Sequence, residues 1–283
     1  MSGFSPDWLL LREPADHAAR AGNVADAVTA QFAARGDITV LDLGCGAGSN
    51  LRGTYQLLPK HQSWHMVDYD PLLLESARDQ LIRWADEVIA APAGNQSLTL
   101  IKGERTINVH LVAADLAKGM EEVVPDKVDL ITAAAFLDLC SQSWIDGFTA
   151  AIAKRGVAVF TPLIYDGRDR FDPPHPDDYD MLAAFHKDML RDKGFGPAIG
   201  PKAAEVFGNA LQKAGYRVLL GDSPWELDVS DTLAIALAQG FAEAVTAGSE
   251  IDNDVVERWL DYRLEHGTWK VGHTDVFAVR RRG

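Results

Sequence analysis

Cysteine is scarce in this chain, which holds only Cys45 and Cys140 among its 283 residues. Cys45 lies between two glycines of a glycine-rich segment, so a structural disulfide is not expected. The scarcity argues against the class of small secreted domains that disulfides hold together, and it favours a reducing cytoplasm. Residues 1–11 also lack the basic region of a secretory signal, which favours the same location.

Positive charge is in short supply, because 27 Lys and Arg residues stand against 41 Asp and Glu, for a formal net charge of −14. Affinity for nucleic acid comes mainly from Lys and Arg, so this balance argues against a nucleic-acid partner. An acidic protein can accept a cationic or neutral small substrate, although its charge does not demand one.

Long apolar runs are also missing, since no stretch approaches the roughly 18 uncharged apolar residues that a membrane helix needs. We therefore expect no membrane span. Of the eight histidines, His61 and His65 are four positions apart, but His65 falls within a predicted strand, so no metal site is predicted.

The most informative segment that is present covers residues 40–50. A short apolar run typical of a buried parallel strand ends at Leu43, and Gly44, Gly46 and Gly48 follow at once. A dinucleotide fingerprint needs its third glycine five positions after the first, whereas here the separation is four. No lysine follows, so a phosphate-binding P-loop is also excluded. The segment favours a nucleoside with a zwitterionic tail.

This segment resembles the first motif of the class I S-adenosylmethionine-dependent methyltransferases, in which an acidic residue precedes three alternating glycines. Asp42, Gly44, Gly46 and Gly48 match that motif, and Cys45 lies within the loop. The resemblance implies that these residues bind S-adenosylmethionine.

The resemblance continues downstream and covers roughly residues 38–165. Asp68 matches the acidic residue that holds the ribose hydroxyls at the end of the second strand, and Tyr69 stands where the family places a side chain against the adenine. Asp115 matches the acidic residue of the third motif, which meets the adenine amino group, with Leu116 beside it.

The N-terminal helices of this superfamily often cover the cofactor, so Arg12 or Arg20 could meet its methionine carboxylate, and we assign Arg20 to the cofactor site. The alternative is a surface helix that carries ordinary charges.

The alternation of strands and helices predicts an α/β, Rossmann-like, doubly wound and mostly parallel seven-stranded sheet. We expect one domain over residues 1–283. It comprises a helical N-terminal cap (1–36), a cofactor-binding half (37–165), a lid insert after strand five (166–200), and a C-terminal half with a helical insertion after strand six (201–283). A helix is predicted over 71–89, and residues 166–178 are predicted to form a loop.

Methyl transfer from a sulfonium needs alignment, exclusion of water and, for a protonated acceptor, removal of a proton. Asp138 follows strand four, where the family places residues that face the transferred methyl, and is our candidate catalytic residue; capping of the next helix is the alternative. Tyr165 and His186 are candidate substrate-binding residues, with packing roles as the alternative.

The sequence therefore predicts methyl transfer to an oxygen or nitrogen of a small-molecule acceptor by in-line displacement. Two alternatives stay open. An aminopropyltransferase-like enzyme on the same fold would need an acidic pair near the cofactor tail, whereas a free carboxylate-binding arginine would favour the methyltransferase. A non-catalytic S-adenosylmethionine-binding protein is the other alternative.

Overall fold

A computed structural model describes residues 4–91, 97–120 and 123–281. Its strands are β1 (Asp37–Leu43), β2 (His61–Asp68), β3 (Glu87–Ala90), β4 (Ser97–Lys102), β5 (Arg105–Ala113), β6 (Leu130–Thr132), β7 (Ala158–Tyr165), β8 (Arg170–Asp172), β9 (Tyr216–Asp222), β10 (Trp225–Asp228), β11 (Thr268–Val271) and β12 (His273–Arg280). Its α-helices are α1 (Pro6–Ala18), α2 (Gly22–Phe32), α3 (Ser49–Thr54), α4 (Pro71–Trp84), α5 (Gln142–Arg155), α6 (Asp178–Met189), α7 (Ala203–Lys213), α8 (Thr232–Gly248) and α9 (Asn253–Glu265).

The main sheet has the strand order β3-β4-β5-β2-β1-β6-β7-β12-β9. The five central strands β5, β2, β1, β6 and β7 pair in parallel. At the edges, β12 runs antiparallel to both β7 and β9, and β3 and β4 pair antiparallel beside β5. The carboxyl ends of the parallel strands therefore share one edge, which is where such sheets bind ligands.

The prediction of seven strands is wrong, because the described residues form nine strands in this sheet. Residues 71–89 were expected to be one helix, but α4 ends at Trp84 and Glu87–Ala90 pairs with β4 instead. All four residues of this short edge strand are exposed, so they carry no apolar alternation that would have identified them.

Both faces of the main sheet are covered by helices. Alternate residues of β1 point to opposite sides: Leu41 and Leu43 join a core that includes residues of α5 and α7, whereas Ile38 and Val40 join a core that includes residues of α2 and α4. The predicted doubly wound architecture is confirmed by this arrangement.

A second sheet lies in the C-terminal half and has the order β10-β11-β8, with both pairings antiparallel. The predicted loop over 166–178 is thus wrong in part, because Arg170–Asp172 forms the edge strand β8. The sheet packs with α6, α8 and α9 around a third core that is rich in aromatic side chains, including Trp225, Trp259 and Trp269.

Candidate functional site

A cavity of about 330 Å³ opens at the carboxyl edge of the parallel strands. Its walls come from the loops after β1, β2, β5 and β6, from α1 and from the loop between α6 and α7. The lining side chains and backbone belong to Phe4, Leu9, Arg12, Asp16, Arg20, Gly44, Cys45, Gly46, Ala47, Ser49, Asn50, Asp68, Tyr69, Leu73, Ala114, Asp115, Leu116, Ala117, Ala134, Ala135, Phe136, Leu139, Lys193, Gly194 and Phe195.

The glycine loop contains three positions whose backbone conformation favours glycine. Gly44, Gly46 and Gly48 have φ angles of 63°, 52° and 80°, in the left-handed region. A Cβ atom on Gly44 would lie 2.6 Å from the ring of Phe136, and one on Gly46 would lie 2.8 Å from Leu9. The loop backbone is therefore exposed to the cavity and held closely by its neighbours.

Asp68 ends β2 and supports this loop. Its Oδ2 accepts a hydrogen bond from the Gly46 amide at 2.9 Å, and its Oδ1 accepts one from the Asp70 amide at 3.1 Å. Burial raises the pKa of the Asp68 carboxyl, although these amide donors oppose the rise. Tyr69 beside it is 41% exposed and lines the cavity, as does the loop residue Cys45.

Asp115 and Leu116 follow β5 and line the same cavity. The Asp115 Oδ1 accepts a hydrogen bond from the Ala117 amide at 3.0 Å, which fixes the start of a short 3₁₀ turn. The Leu116 carbonyl accepts one from the Trp144 indole at 2.8 Å. Long-range packing therefore fixes the backbone where the third motif ends.

Asp42 and Arg20 carry polar atoms that have no partner among the described residues. The Oδ1 of Asp42 accepts a hydrogen bond from the Asn50 amide group at 2.8 Å, but its buried Oδ2 accepts none. Burial raises the pKa of Asp42 to about 7. Arg20 donates from Nη2 to Asn50 at 3.2 Å, while its Nε and Nη1, shielded from solvent, are unpartnered. Burial lowers the pKa of Arg20.

Arg12 differs from Arg20 because its Nε and Nη2 are already engaged by a carboxylate. Its guanidinium holds both oxygens of Asp16, at 2.9 and 3.0 Å, and lies 4.9 Å from the centre of the Trp225 ring. The Trp225 indole also donates to Asp16, at 3.1 Å. Of the two arginines, Arg12 is thus already paired with a carboxylate, whereas Arg20 keeps two solvent-shielded donors without a partner in the described part of the chain.

Helix α1 covers the cavity and is tied to the glycine loop. Arg52 donates from Nε to Glu13 at 2.7 Å and from Nη1 to the Ala47 carbonyl at 3.0 Å. The His17 Nε2 lies 3.0 Å from the Ser49 carbonyl. These contacts place the lining residues of α1 opposite the loop.

Asp138 is 7% exposed and its Oδ1 has no hydrogen-bond partner in the described part of the chain. Burial raises its pKa to about 6, and the nearby positive charge of Arg12 opposes that rise. Asp138 does not cap α5, since the hydroxyl of Ser141 accepts the Trp144 amide there. Asp138 does not line the cavity, although its neighbour Leu139 does.

Tyr165 and His186 lie together, but neither lines the cavity. The Tyr165 hydroxyl donates to Asp169 and lies 2.9 Å from the His186 Nε2. The Trp269 indole donates to the other Asp169 oxygen at 3.0 Å. Burial raises the pKa of Tyr165 and lowers that of His186. The two residues join β7 and α6 to the second sheet.

The sequence alone did not identify Asn50 as a site residue. Its amide group donates to Asp42 and, at 2.9 Å, to Thr132, while its oxygen accepts from Arg20. The position of Asn50 just after the glycine loop was the feature of the sequence that could have identified it. Phe136 belongs to the core that includes α5 and also lies in the cavity wall under Gly44.

Within residues 4–91, 97–120 and 123–281, no group of three or more potential metal ligands is found. Among the same residues, none of the helices combines the length and apolar character needed to cross a bilayer.

Comparison with known proteins identifies the fold. No protein-family model matches the chain, and no curated protein matches its sequence. The structure is similar to a cyclopropane-fatty-acyl-phospholipid synthase-like protein from Lactobacillus casei, with a TM-score of 0.53, 15% identity and coverage of 95% of this chain and 92% of that one. It is also similar to the cyclopropane synthase MmaA2 from Mycobacterium tuberculosis, with a TM-score of 0.51, 14% identity and coverage of 98% and 95%. The chain has the class I S-adenosylmethionine-dependent methyltransferase fold, as its motifs indicated.

Proposed function

We propose that the protein is an S-adenosylmethionine-dependent methyltransferase that transfers a methyl group to an oxygen or nitrogen of a small molecule. One observation carries this proposal: Arg20 lines the cavity beside the glycine loop with two unpartnered, solvent-shielded donors, and Asp42, which does not line the cavity, has an unpartnered buried oxygen next to the lining residue Asn50. A carboxylate and an ammonium group, such as the zwitterionic end of the cofactor, would satisfy them.

The remaining cavity residues fit the rest of the cofactor. Asp68 would accept hydrogen bonds from the ribose hydroxyls, and Tyr69 would lie against the adenine. Asp115 and the Leu116 backbone would meet the adenine amino group. The bound cofactor supplies an electrophilic methyl group on a sulfonium. The glycine loop would let the ligand approach the backbone closely.

The chain's own contribution to the chemistry would be alignment, exclusion of water and removal of a proton. Asp138 is the proposed proton acceptor because its unpartnered oxygen is shielded from solvent and its pKa is about 6. A carboxylate with that pKa is ionised at neutral pH and can still take up a proton. Asp138 does not line the cavity, so this role requires the wall at Leu139 to move when the acceptor binds.

The site favours methyl transfer over aminopropyl transfer. A free carboxylate-binding arginine favours the methyltransferase, and Arg20 keeps two unpartnered donors at the cavity. A cavity lid built from α1 favours catalysis over simple binding, because shielding from water serves a reaction. We also propose the reducing cytoplasm as the compartment, since Cys45 and Cys140 are buried free thiols.

The first test is calorimetric titration of the full-length protein with S-adenosylmethionine, S-adenosylhomocysteine and NAD. We expect micromolar binding of the two sulfur nucleosides and none of NAD.

Asp68→Ala should weaken S-adenosylhomocysteine binding by about 1–3 kcal/mol, because charge-assisted hydrogen bonds are lost. Asp26→Ala, at an exposed position of α2, is the control. Absent binding of both nucleosides would overturn the proposal, and unchanged affinity in Asp68→Ala would overturn the ribose assignment.

A further inference from the structure

The cavity has a second wall that the cofactor contacts proposed above leave free. This wall is apolar and includes the ring of Phe136 after β6, the ring of Phe195 from the loop between α6 and α7, and Leu139. The centres of the Phe136 and Phe195 rings lie 5.2 Å apart in an edge-to-face arrangement. Such a wall suits a methyl acceptor whose main part is apolar, for example an aromatic ring.

Lys193 is the charged residue of the cavity lining that lies two positions from Phe195. Its only ion pair within the described residues is a long one, 3.5 Å to Asp188. Asp188 is also contacted by Arg191, so one carboxylate serves two cations. The charge of Lys193 is therefore only partly compensated by its own ion pair.

The segment that carries Lys193 is held in a defined shape. The Oδ1 of Asp192 accepts hydrogen bonds from the Gly194 amide at 2.7 Å and from the Gly196 amide at 3.0 Å. Phe195 packs edge-to-face against Trp144 at 5.7 Å as well as against Phe136. The backbone of Lys193 is thus fixed beside the apolar wall, and less ordering is needed when its ammonium group binds an anion.

We propose that Lys193 and the adjoining apolar wall select a methyl acceptor that combines an apolar, ring-containing body with one carboxylate. This inference rests on the function proposed above. The ammonium group would hold the carboxylate by a charge-assisted hydrogen bond, while the body would lie against Phe136, Leu139 and Phe195. Holding the carboxylate at one end would orient the acceptor atom towards the transferred methyl.

The test measures ligand binding to the full-length protein after saturation with S-adenosylhomocysteine. Three probes of similar shape differ in charge: phenylacetate, phenylacetamide and phenethylamine. We expect phenylacetate to bind about tenfold or more tightly than either other probe, as one charge-assisted hydrogen bond allows. In Lys193→Met this preference should fall to within about twofold, and Lys193→Arg should restore most of it.

Lys213→Met, at an exposed position in the last turn of α7, removes the same charge away from the cavity and should keep the preference. Equal binding of the three probes, no binding of any of them, or a preference that survives Lys193→Met would overturn the inference. Failure of S-adenosylhomocysteine to bind in the first step would instead overturn the proposed function, so the two failures are distinguishable. Melting temperatures of the variants confirm that each is folded.

Discussion

Asp42 is a buried carboxylate whose charge is costly in the cofactor-free protein. Its one hydrogen bond from Asn50 does not compensate for full burial, so its pKa rises from about 4 in an unfolded chain to about 7. Between these values the folded state holds a proton that the unfolded state has lost. This group therefore lowers the free energy of unfolding as the pH rises from about 4 to 7, and the loss is complete above pH 7.

Asp42→Asn should remove that loss. We expect the cofactor-free variant to gain up to about 4 kcal/mol in the free energy of unfolding at pH 8, since each pKa unit corresponds to about 1.4 kcal/mol. The gain should vanish near pH 4. Urea unfolding at both pH values measures it, with Asp26→Asn as an exposed control. A variant no more stable than the parent at pH 8 would contradict the assigned cost.

Asp138 offers a prediction about turnover. Asp138→Asn keeps the size of the side chain but cannot take up a proton, so turnover should fall about 10²–10⁴-fold while S-adenosylhomocysteine affinity changes little. The parent's activity should rise with pH through about 6, as the carboxyl ionises. The activity of the variant should not show this rise. Formation of S-adenosylhomocysteine with the acceptor found by screening measures both. Normal turnover in the variant would exclude Asp138 as the proton acceptor, and Asp146→Asn on α5 is the control.

At the scale of elements, helix α1 is the part that closes the cavity. Glu13 receives hydrogen bonds from Arg52, whose side chain is only 5% exposed and which also supports the Ala47 carbonyl in the glycine loop. One ion pair thus links the position of the helix to the shape of the loop. Removing one partner of a buried pair leaves the other charge uncompensated.

Glu13→Ala should therefore loosen α1 and lower the free energy of unfolding by up to about 3 kcal/mol. Hydrogen exchange followed by mass spectrometry should show faster exchange over residues 6–18 and 44–52. Asp7→Ala, an exposed acidic residue on the same helix, should leave exchange unchanged. Equal protection of α1 in the parent and in Glu13→Ala would show that the ion pair does not hold the helix.

At the scale of the whole molecule, Trp225 connects the cavity lid to the C-terminal half. It belongs to the third core, yet its indole donates to Asp16 of α1 and its ring lies under Arg12. A ligand that fixes α1 should therefore also restrict the second sheet and its helices. Trp8, Leu11 and Ala15 of α1 also pack against the third core, so Trp225 adds a hydrogen bond to a broader contact.

Trp225→Phe keeps an aromatic ring but removes the donor to Asp16. In the parent, S-adenosylhomocysteine should slow hydrogen exchange over residues 225–271, and in Trp225→Phe this ligand-dependent protection should be weaker. Trp84→Phe, whose ring packs on Tyr55 away from the cavity, is the matched control. Equal ligand-dependent protection in Trp225→Phe would mean that the coupling does not run through this contact.

Much of the cofactor region could be predicted from the sequence because its determinants are local. Gly44, Gly46 and Gly48 have positive φ, and the strands before Asp68 and Asp115 end in short apolar stretches. Parallel strands bring their carboxyl ends to one edge, so the order of motifs already placed these residues around a common site. The five parallel strands followed from the same alternation.

Only the tertiary structure decided the rest, because the contacts involved join distant parts of the chain. Trp225, more than 200 positions along the chain, donates to the carboxylate that holds Arg12 and packs against the guanidinium itself. Strand β8 forms because it pairs with residues about 100 positions later in the chain. It is only three residues long, which is too short for an alternation of apolar and polar residues to predict it. Tyr165 turned out to face Asp169 and His186 rather than the cavity, because long-range packing, not local pattern, sets the direction of a strand-end side chain.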